Sequence, residues 1–499
     1  MTAPWPANPL LYEINTRVWL RELAGGGKGA RPLPLDRVPE DALLRLKETG
    51  WDAIWLMGVW KGSPEGVRIA RAHPGLREEY RRALPDLAEE DVIGSPYAVG
   101  AYEAAPELGG DAALLHLRER LAAHGIRLIL DFVPNHLARD HAWTGEHPGA
   151  FIQGSEEDLR REPGDFFRGP GGHVLAHGRD PNFPGWTDTV QLNYASPEAR
   201  ELMRGELARI AGLCDGVRCD MAMLLLPLVM ERTWGGRLGP NPVLESFWPG
   251  AIAAARERNP GFIFIAEAYW GLEGALQLEG FDYTYDKWLY DRLRAEDPGA
   301  VRDHLRASVD YQRHCARFVE NHDEDRAARA FGPARWLPAA AVSFGAPGLK
   351  LFHEGQLEGR KVRPPVQLAR RPTEPPDPEV EAGHRRLIAF LREPVFREGE
   401  FSLPDVNSAG PEDSSNERII ALHWAGRGGG RVLIAANLGE IPAFARIPLP
   451  AGTGAPSWTL LDRWDGSRYL RAEVEMAGLG LFVALKPWQV HLFEMTPGG

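Results

Sequence analysis

DGVRCD, residues 215–220, is the stretch on which the reading of this chain turns. In an extended strand successive side chains face opposite ways, so Arg218 and Asp220 project together while Val217 and Cys219 pack behind them. A carboxylate held beside a guanidinium stays ionised, which suits a nucleophile or a charge stabiliser. A strand-end ion pair looks the same in isolation, so the hexapeptide takes its meaning from the segments around it.

Those segments alternate. Upstream, WDAIWLMGV (51–59) and IRLILDFV (126–133) are apolar runs suited to strands buried on both faces. Helices are expected before them, over residues 35–49 with Gly50 as the stop and over residues 111–124 with Gly125 as the stop. A first strand is expected over residues 10–20. Downstream, strands are expected at FIFIAE (262–267), FDYTYD (281–286), CARFVENHD (315–323) and LKLFHEG (349–355). Helices are expected over residues 197–213, 244–258, 300–313 and 379–392. Eight strand candidates, each followed by a connection long enough for a crossover, predict a (β/α)8 TIM barrel.

Three regions break the alternation. Residues 61–110 form a polar excursion containing GSPYAVGAY (94–102). Periodicity vanishes over residues 137–189, where Gly, Pro, His and Asp dominate; so long an irregular insertion reads as a functional subdomain. Beyond residue 394, short apolar runs separated by Gly, Pro and Asn predict an all-β sandwich without a convincing helix. The expected domains are therefore a barrel over 1–136 and 191–394, a loop-rich domain B over 137–190 and a C-terminal β-sandwich over 395–499.

Composition narrows the partners. The 57 basic residues against 69 acidic ones leave a net charge of −12, the wrong sign for a nucleic acid or an anionic membrane. Hydrophobic residues at 44% and charged residues at 25% describe an ordinary globular protein. Cys214, Cys219 and Cys315 match no metal-ligand spacing and read as reduced, buried side chains. The N-terminal stretch has no basic region leading into an apolar one, and no long apolar window occurs, so a cytoplasmic location is expected.

Polar residues gather where such a barrel does its chemistry, at the C-terminal strand ends. The third strand ends Asp131-Phe132-Val133-Pro134-Asn135-His136, the fourth Arg218-Cys219-Asp220, the fifth Ala266-Glu267 and the seventh Glu320-Asn321-His322-Asp323. Singly, each is an ordinary cap or turn residue. Jointly they support glycosidic bond cleavage, which needs two carboxyl groups flanking the bond and stabilisation of an oxocarbenium-like transition state. Asp220, beside Arg218, suits the nucleophile; Glu267, after five mostly apolar residues, suits the protonated acid in an apolar setting. Asp323 and His322 are then placed to bind sugar hydroxyls.

DFVPNH, GVRCD, FIAE and FVENHD, in this order and separation, resemble the four signature regions of the alpha-amylase superfamily, glycoside hydrolase family 13. The resemblance spans about residues 9–392, and the trailing domain is similar to the family's C-terminal β-sandwich. It implies Asp220 as nucleophile, Glu267 as acid/base and Asp323 as the carboxylate that clamps the sugar. It further implies a retaining mechanism and a substrate-binding set of Tyr97, His136, Arg218 and His322, with Asp131 and Asn321 beside them in the same signature regions. The expected substrate is a malto-oligosaccharide or related α-glucoside, and no cofactor is required.

The sequence departs from the family pattern at several points. Met223 and Leu224 stand where many members carry Lys and His, which suggests a more apolar acceptor side or one built by other loops. The same change sets against a structural calcium, although Asn135 matches one of its usual ligands. Ala98 replaces the aspartate that many exo-acting glucosidases place after the stacking tyrosine. Lys287, Lys350, His353 and the run Arg360-Lys361-Val362-Arg363 read as loop ion pairs, with an anionic substrate group as the other reading. Trp60, Trp143, Trp186 and Trp270 fall in loops, where a ring either packs or stacks on sugar. Transfer to another sugar, isomerisation and phosphorolysis would run through the same intermediate as hydrolysis. A non-catalytic binding protein on this scaffold would typically lack one of the three carboxylates, and all three are present.

Overall fold

The structure, a computed structural model, describes residues 4–240, 242–450 and 456–498. Residues 1–3, part of the stretch read above for a leader, lie outside the described residues. Eight parallel strands close into a barrel in chain order: β1 (Leu10–Asn15), β2 (Ala53–Met57), β3 (Arg127–Phe132), β4 (Gly216–Cys219), β5 (Ile263–Ala266), β6 (Tyr283–Tyr285), β7 (Cys315–Arg317) and β8 (Leu349–His353). β2, β4 and β5 are buried at every position, as continuous apolar runs in a covered parallel sheet should be.

The chain groups into two compact units, one holding residues 1–4, 12–285 and 362–373, the other residues 5–11, 286–361 and 374–499. In the first unit, β4 runs parallel between β3 and β5, with Cys219 opposite both Phe132 and Ala266. The ladder continues one residue past the strands: Asp220 N–H donates to Phe132 O (2.8 Å) and Glu267 N–H to Cys219 O (3.0 Å). Asp220 and Glu267 therefore leave their strands side by side on a fixed backbone. Close approach at the other end of β4 explains Gly216, where an added Cβ would lie 2.6 Å from Ile263 Cγ1 and 2.8 Å from Ile129 Cδ1.

Several expectations for this unit need correction. Strand β1 stops at Asn15, whose side chain accepts from Val18 N–H and starts the helix Thr16–Leu23 within the run read as strand. The polar excursion is an ordered helix pair, Pro64–Ala72 and Pro74–Ala83, each opened by a proline in its first turn. Tyr80, Ala83, Leu84 and Val92 there share a small core with Leu368. The helix expected from residue 244 begins at Trp248, with proline in its first turn. In the inserted region, short strand pairs occur: His136–Ala138 with Thr189–Gln191, and Phe166–Arg168 with Val174–Ala176.

In the second unit, the helix expected over residues 300–313 is two, Pro298–Leu305 and Val309–Arg313, the second capped by Ser308. The C-terminal region forms a six-stranded antiparallel sheet facing a three-stranded one. One core joins them, with Leu433, Trp458 and Phe493 from the first sheet and Ala445, Ile447 and Val483 from the second. Two short helices, Pro394–Glu398 and Glu473–Gly478, accompany the strands expected alone. Among the described residues no helix is long and apolar enough to cross a membrane.

The packing around Gly216 predicts that Gly216→Ala lowers stability by about 1–3 kcal/mol, because a methyl group there must part three strands. Thermal unfolding of the variant checks this; an unchanged midpoint would show that β4 has room to shift.

Candidate active site

Arg218 is the centre of the first unit's polar cluster. The residue is 1% exposed, and its Nη1 donates to Asp220 Oδ1 at 2.8 Å while Nη2 lies 2.8 Å from Glu267 Oε2 as an ion pair. Its Nε donates to the Tyr285 hydroxyl at 3.3 Å. The rings of Trp55, Tyr97 and Tyr285 surround the guanidinium with centroids 5.3, 5.3 and 5.6 Å from Cζ. Burial alone would weaken its hold on the proton, but Glu267 and Asp220 keep it well above its usual value. Burial likewise lifts the Tyr285 hydroxyl far above the ordinary tyrosine range, so it stays neutral.

Glu267 does not sit in the apolar surroundings expected from FIFIAE. Besides Arg218, the Tyr269 hydroxyl donates to its Oε1 (2.8 Å) and the Met221 N–H to its Oε2 (2.6 Å). Met221 adopts a left-handed backbone, φ 43°, a costly conformation for a non-glycine residue that turns this N–H toward the carboxylate.

The remaining expected residues fall into three groups. Tyr97, half-buried, faces Arg218, and His136 hydrogen-bonds the Tyr97 backbone, so these two join the cluster. Asp131 serves as a support: its Oδ1 accepts from Trp55 Nε1 (3.0 Å), its Oδ2 from Gly58 N–H (2.7 Å), and its carbonyl from Trp60 Nε1 (2.7 Å). In the second unit, His322 Nε2 lies 3.0 Å from Asp323 Oδ2, and the Asp323 side chain is 47% exposed. Asn321 is a turn residue there, its Oδ1 accepting from the N–H groups of Asp323 and Glu324, both at 3.0 Å.

Four of the basic residues read for loop ion pairs or an anionic group, Lys350, His353, Lys287 and Arg363, are engaged within the protein. Lys350 is buried, donates to Ala346 O (2.7 Å) and Gly348 O (2.6 Å), and burial drives its pKa well below the usual lysine value. His353 joins Glu320 (3.0 Å) and Arg326 in a buried cluster, Lys287 pairs with Asp291 and Glu324, and Arg363 pairs with Glu79. Met223 and Leu224 are buried. Trp60 is buried and Trp143 packs on His141, whereas Trp270 is 42% exposed.

Sequence reasoning missed Trp55, Tyr285 and Tyr269. Trp55 and Tyr285 lie inside runs read as plain strands, and the only available signal was that aromatic residues near strand ends flank the charged ones. Among the described residues, no group of three or more His, Cys, Asp or Glu side chains gathers as a metal site. Asn135, matched to a calcium ligand above, is paired with the amide of Gln191, whose nitrogen faces oxygen atoms; this neutral donor set does not fit a hard dication.

Three histidines of this unit, His136, His141 and His177, are pushed by burial down to about 4. The unfolded chain takes up these protons as pH falls through about 6.5 and the folded chain only near 4, so their contribution is complete above 6.5 and is lost between the two values. For His136 alone this amounts to about 2 kcal/mol at a pH near 5. His136→Gln should accordingly show a shallower fall in urea midpoint between about pH 7 and pH 5; an unchanged slope would refute the assignment.

Comparison with known proteins agrees with this geometry. Residues 41–227 match the family described as "Alpha amylase, catalytic domain". Alpha-amylase MalA of Haloarcula japonica is 24% identical over 377 residues, covering 72% of this chain and 45% of that protein. An alpha-1,4-glucan:maltose-1-phosphate maltosyltransferase of Cereibacter sphaeroides is 43% identical over 216 residues, 41% of this chain and 27% of that one. The chain thus spans less than half the length of these relatives. Its fold is that of the noncanonic maltogenic alpha-amylase AmyB from Thermotoga neapolitana, with a TM-score of 0.67 at 21% identity over 98% of both chains. With four segments that resemble the signature regions on the ends of β3, β4, β5 and β7 of a closed eight-stranded barrel, the chain is similar to the alpha-amylase superfamily, and residues 41–227 match its catalytic domain.

Proposed function

We propose that this protein is a retaining α-glycosidase that cleaves α-glucosidic bonds of malto-oligosaccharides or a related α-glucoside. The observation that carries the reading is Arg218, one buried guanidinium held between Asp220 and Glu267 at 2.8 Å from each. In the first step Asp220 attacks the anomeric carbon while Glu267, having taken up a proton in the substrate complex in place of its ion pair with Arg218, gives that proton to the departing glycosidic oxygen. A glycosyl ester on Asp220 results. Glu267, now a base, takes a proton from water, which attacks the anomeric carbon and frees Asp220.

Other residues take supporting roles in this reading. Tyr97 stacks on the sugar at the cleavage point, His136 and His322 bind its hydroxyls, and Asp323 is the third carboxylate, holding the sugar as positive charge develops. Asp131 and Asn321 act by fixing the segments that present these groups. The domains divide at residues 136, 190 and 394, and the protein works in the cytoplasm without a cofactor.

A second reading, transfer of the glycosyl unit to a sugar or to phosphate, is favoured by the likeness to proteins named maltosyltransferases. Both readings share the first step. Purified protein given maltotriose and maltodextrin, with and without phosphate, is expected to yield shorter sugars and glucose in either case; longer sugars or a sugar phosphate would establish transfer instead. Asp220→Asn should reduce turnover by about three or more orders of magnitude with near-normal unfolding behaviour, and retained activity would overturn the assignment of the nucleophile.

A further inference from the structure

Gln191, at the end of the strand Thr189–Gln191, is fully buried. Its Nε2 faces three oxygens at once: Asn135 O at 2.9 Å, Asn135 Oδ1 at 3.0 Å and Leu192 O at 3.0 Å. Its Oε1 in turn accepts from Asn135 Nδ2 (3.2 Å) and from the Arg179 N–H (3.4 Å). Three oxygens converging on one buried point resemble the shell of a hard cation, which gathers oxygen ligands at about 2.3–2.6 Å. Here a neutral amide fills the centre of that shell at hydrogen-bond distance, and its two protons are shared among the three acceptors.

The arrangement reaches beyond the amide pair. Asn135 Nδ2 also lies 3.3 Å from His136 Nδ1, and the His136 ring hydrogen-bonds the backbone of Tyr97. Arg179 brings in the loop after the strand Val174–Ala176. A continuous path of hydrogen bonds thus links the inserted segment, the end of β3 and the tyrosine loop.

We infer that the Gln191–Asn135 amide pair is a metal-free clasp, in which the Gln191 NH2 group occupies the oxygen shell and ties the inserted segment through His136 to Tyr97. With the Leu192 N–H also donating to Asn135 O (3.2 Å), three protons meet the three oxygens of the shell, and a divalent cation has neither room nor charge compensation there. The chain should therefore need no calcium to fold, and removing the amide should leave buried carbonyls without donors.

Thermal unfolding of the wild-type chain after dialysis against EDTA, and again with excess calcium chloride, tests this independently of what the protein cleaves. The two midpoints are expected to agree within about 1 °C, since a ligand that does not bind the folded state cannot stabilise it. Gln191→Leu should unfold about 5 °C lower or more, with and without calcium alike. A wild-type midpoint that falls by about 5 °C in EDTA and returns with calcium would overturn the inference, as would a Gln191→Leu variant that unfolds at the wild-type temperature.

Discussion

Everything at the active end of the first unit depends on burying one guanidinium. Taking Arg218 out of water costs several kcal/mol, and the cost is offset only where charge and hydrogen bonds are supplied in full. The protein supplies them from four directions: Asp220 along the same strand, Glu267 from the next, the Tyr285 hydroxyl, and the faces of Trp55, Tyr97 and Tyr285. A planar fork suits this task better than an ammonium, since each arm of the guanidinium engages a different carboxyl group. Truncating either carboxyl so that no acceptor remained would leave the guanidinium stranded in a buried site, whereas an isosteric amide keeps an oxygen facing it.

Precision comes from the backbone. With β3, β4 and β5 in parallel register and the ladder extended to Asp220 and Glu267, both carboxyls start from positions that cannot slip without breaking inter-strand hydrogen bonds. The Met221 turn adds a second constraint, because the left-handed residue directs its N–H onto Glu267 immediately after the strand ends. Strained backbone beside a reacting group is a common way for a fold to hold a geometry that local preference would not choose.

How legible was this in the sequence? The eight strands were visible because fully buried parallel strands are continuous apolar runs, as in WDAIWLMGV and FIFIAE, and the acids at their ends stand out against that background. The helix Gly332–Gly345 was not visible. It is buried along nearly its whole second half, includes Pro338, and so shows no amphipathic period. The excursion over residues 61–110 was read only as polar, yet Pro64 and Pro74 each open a helix, a position in the first turn to which proline is well suited. Side-chain partners were the least legible. FIFIAE predicts an apolar setting for Glu267, but the donors that reach it, Tyr269, Met221 and Arg218, come from beyond the strand or from its neighbour.

The same logic separates the two halves of the proposed reaction. In that reading the groups assigned to the cleaved sugar sit mostly on strand ends, where register fixes them and where signature segments can be read. The acceptor side is less framed: Met223 and Leu224, which follow Asp220, are buried apolar side chains with little hydrogen bonding to offer it. Irregular segments are the other source of polar contact, and Trp270, exposed at φ 63°, lies on one such turn. Loops of this kind change without disturbing Arg218 and its partners. A family that keeps one donor site and varies the acceptor side can pass between hydrolysis and transfer at little cost to the barrel, which accounts for a chain resembling both an alpha-amylase and maltosyltransferases.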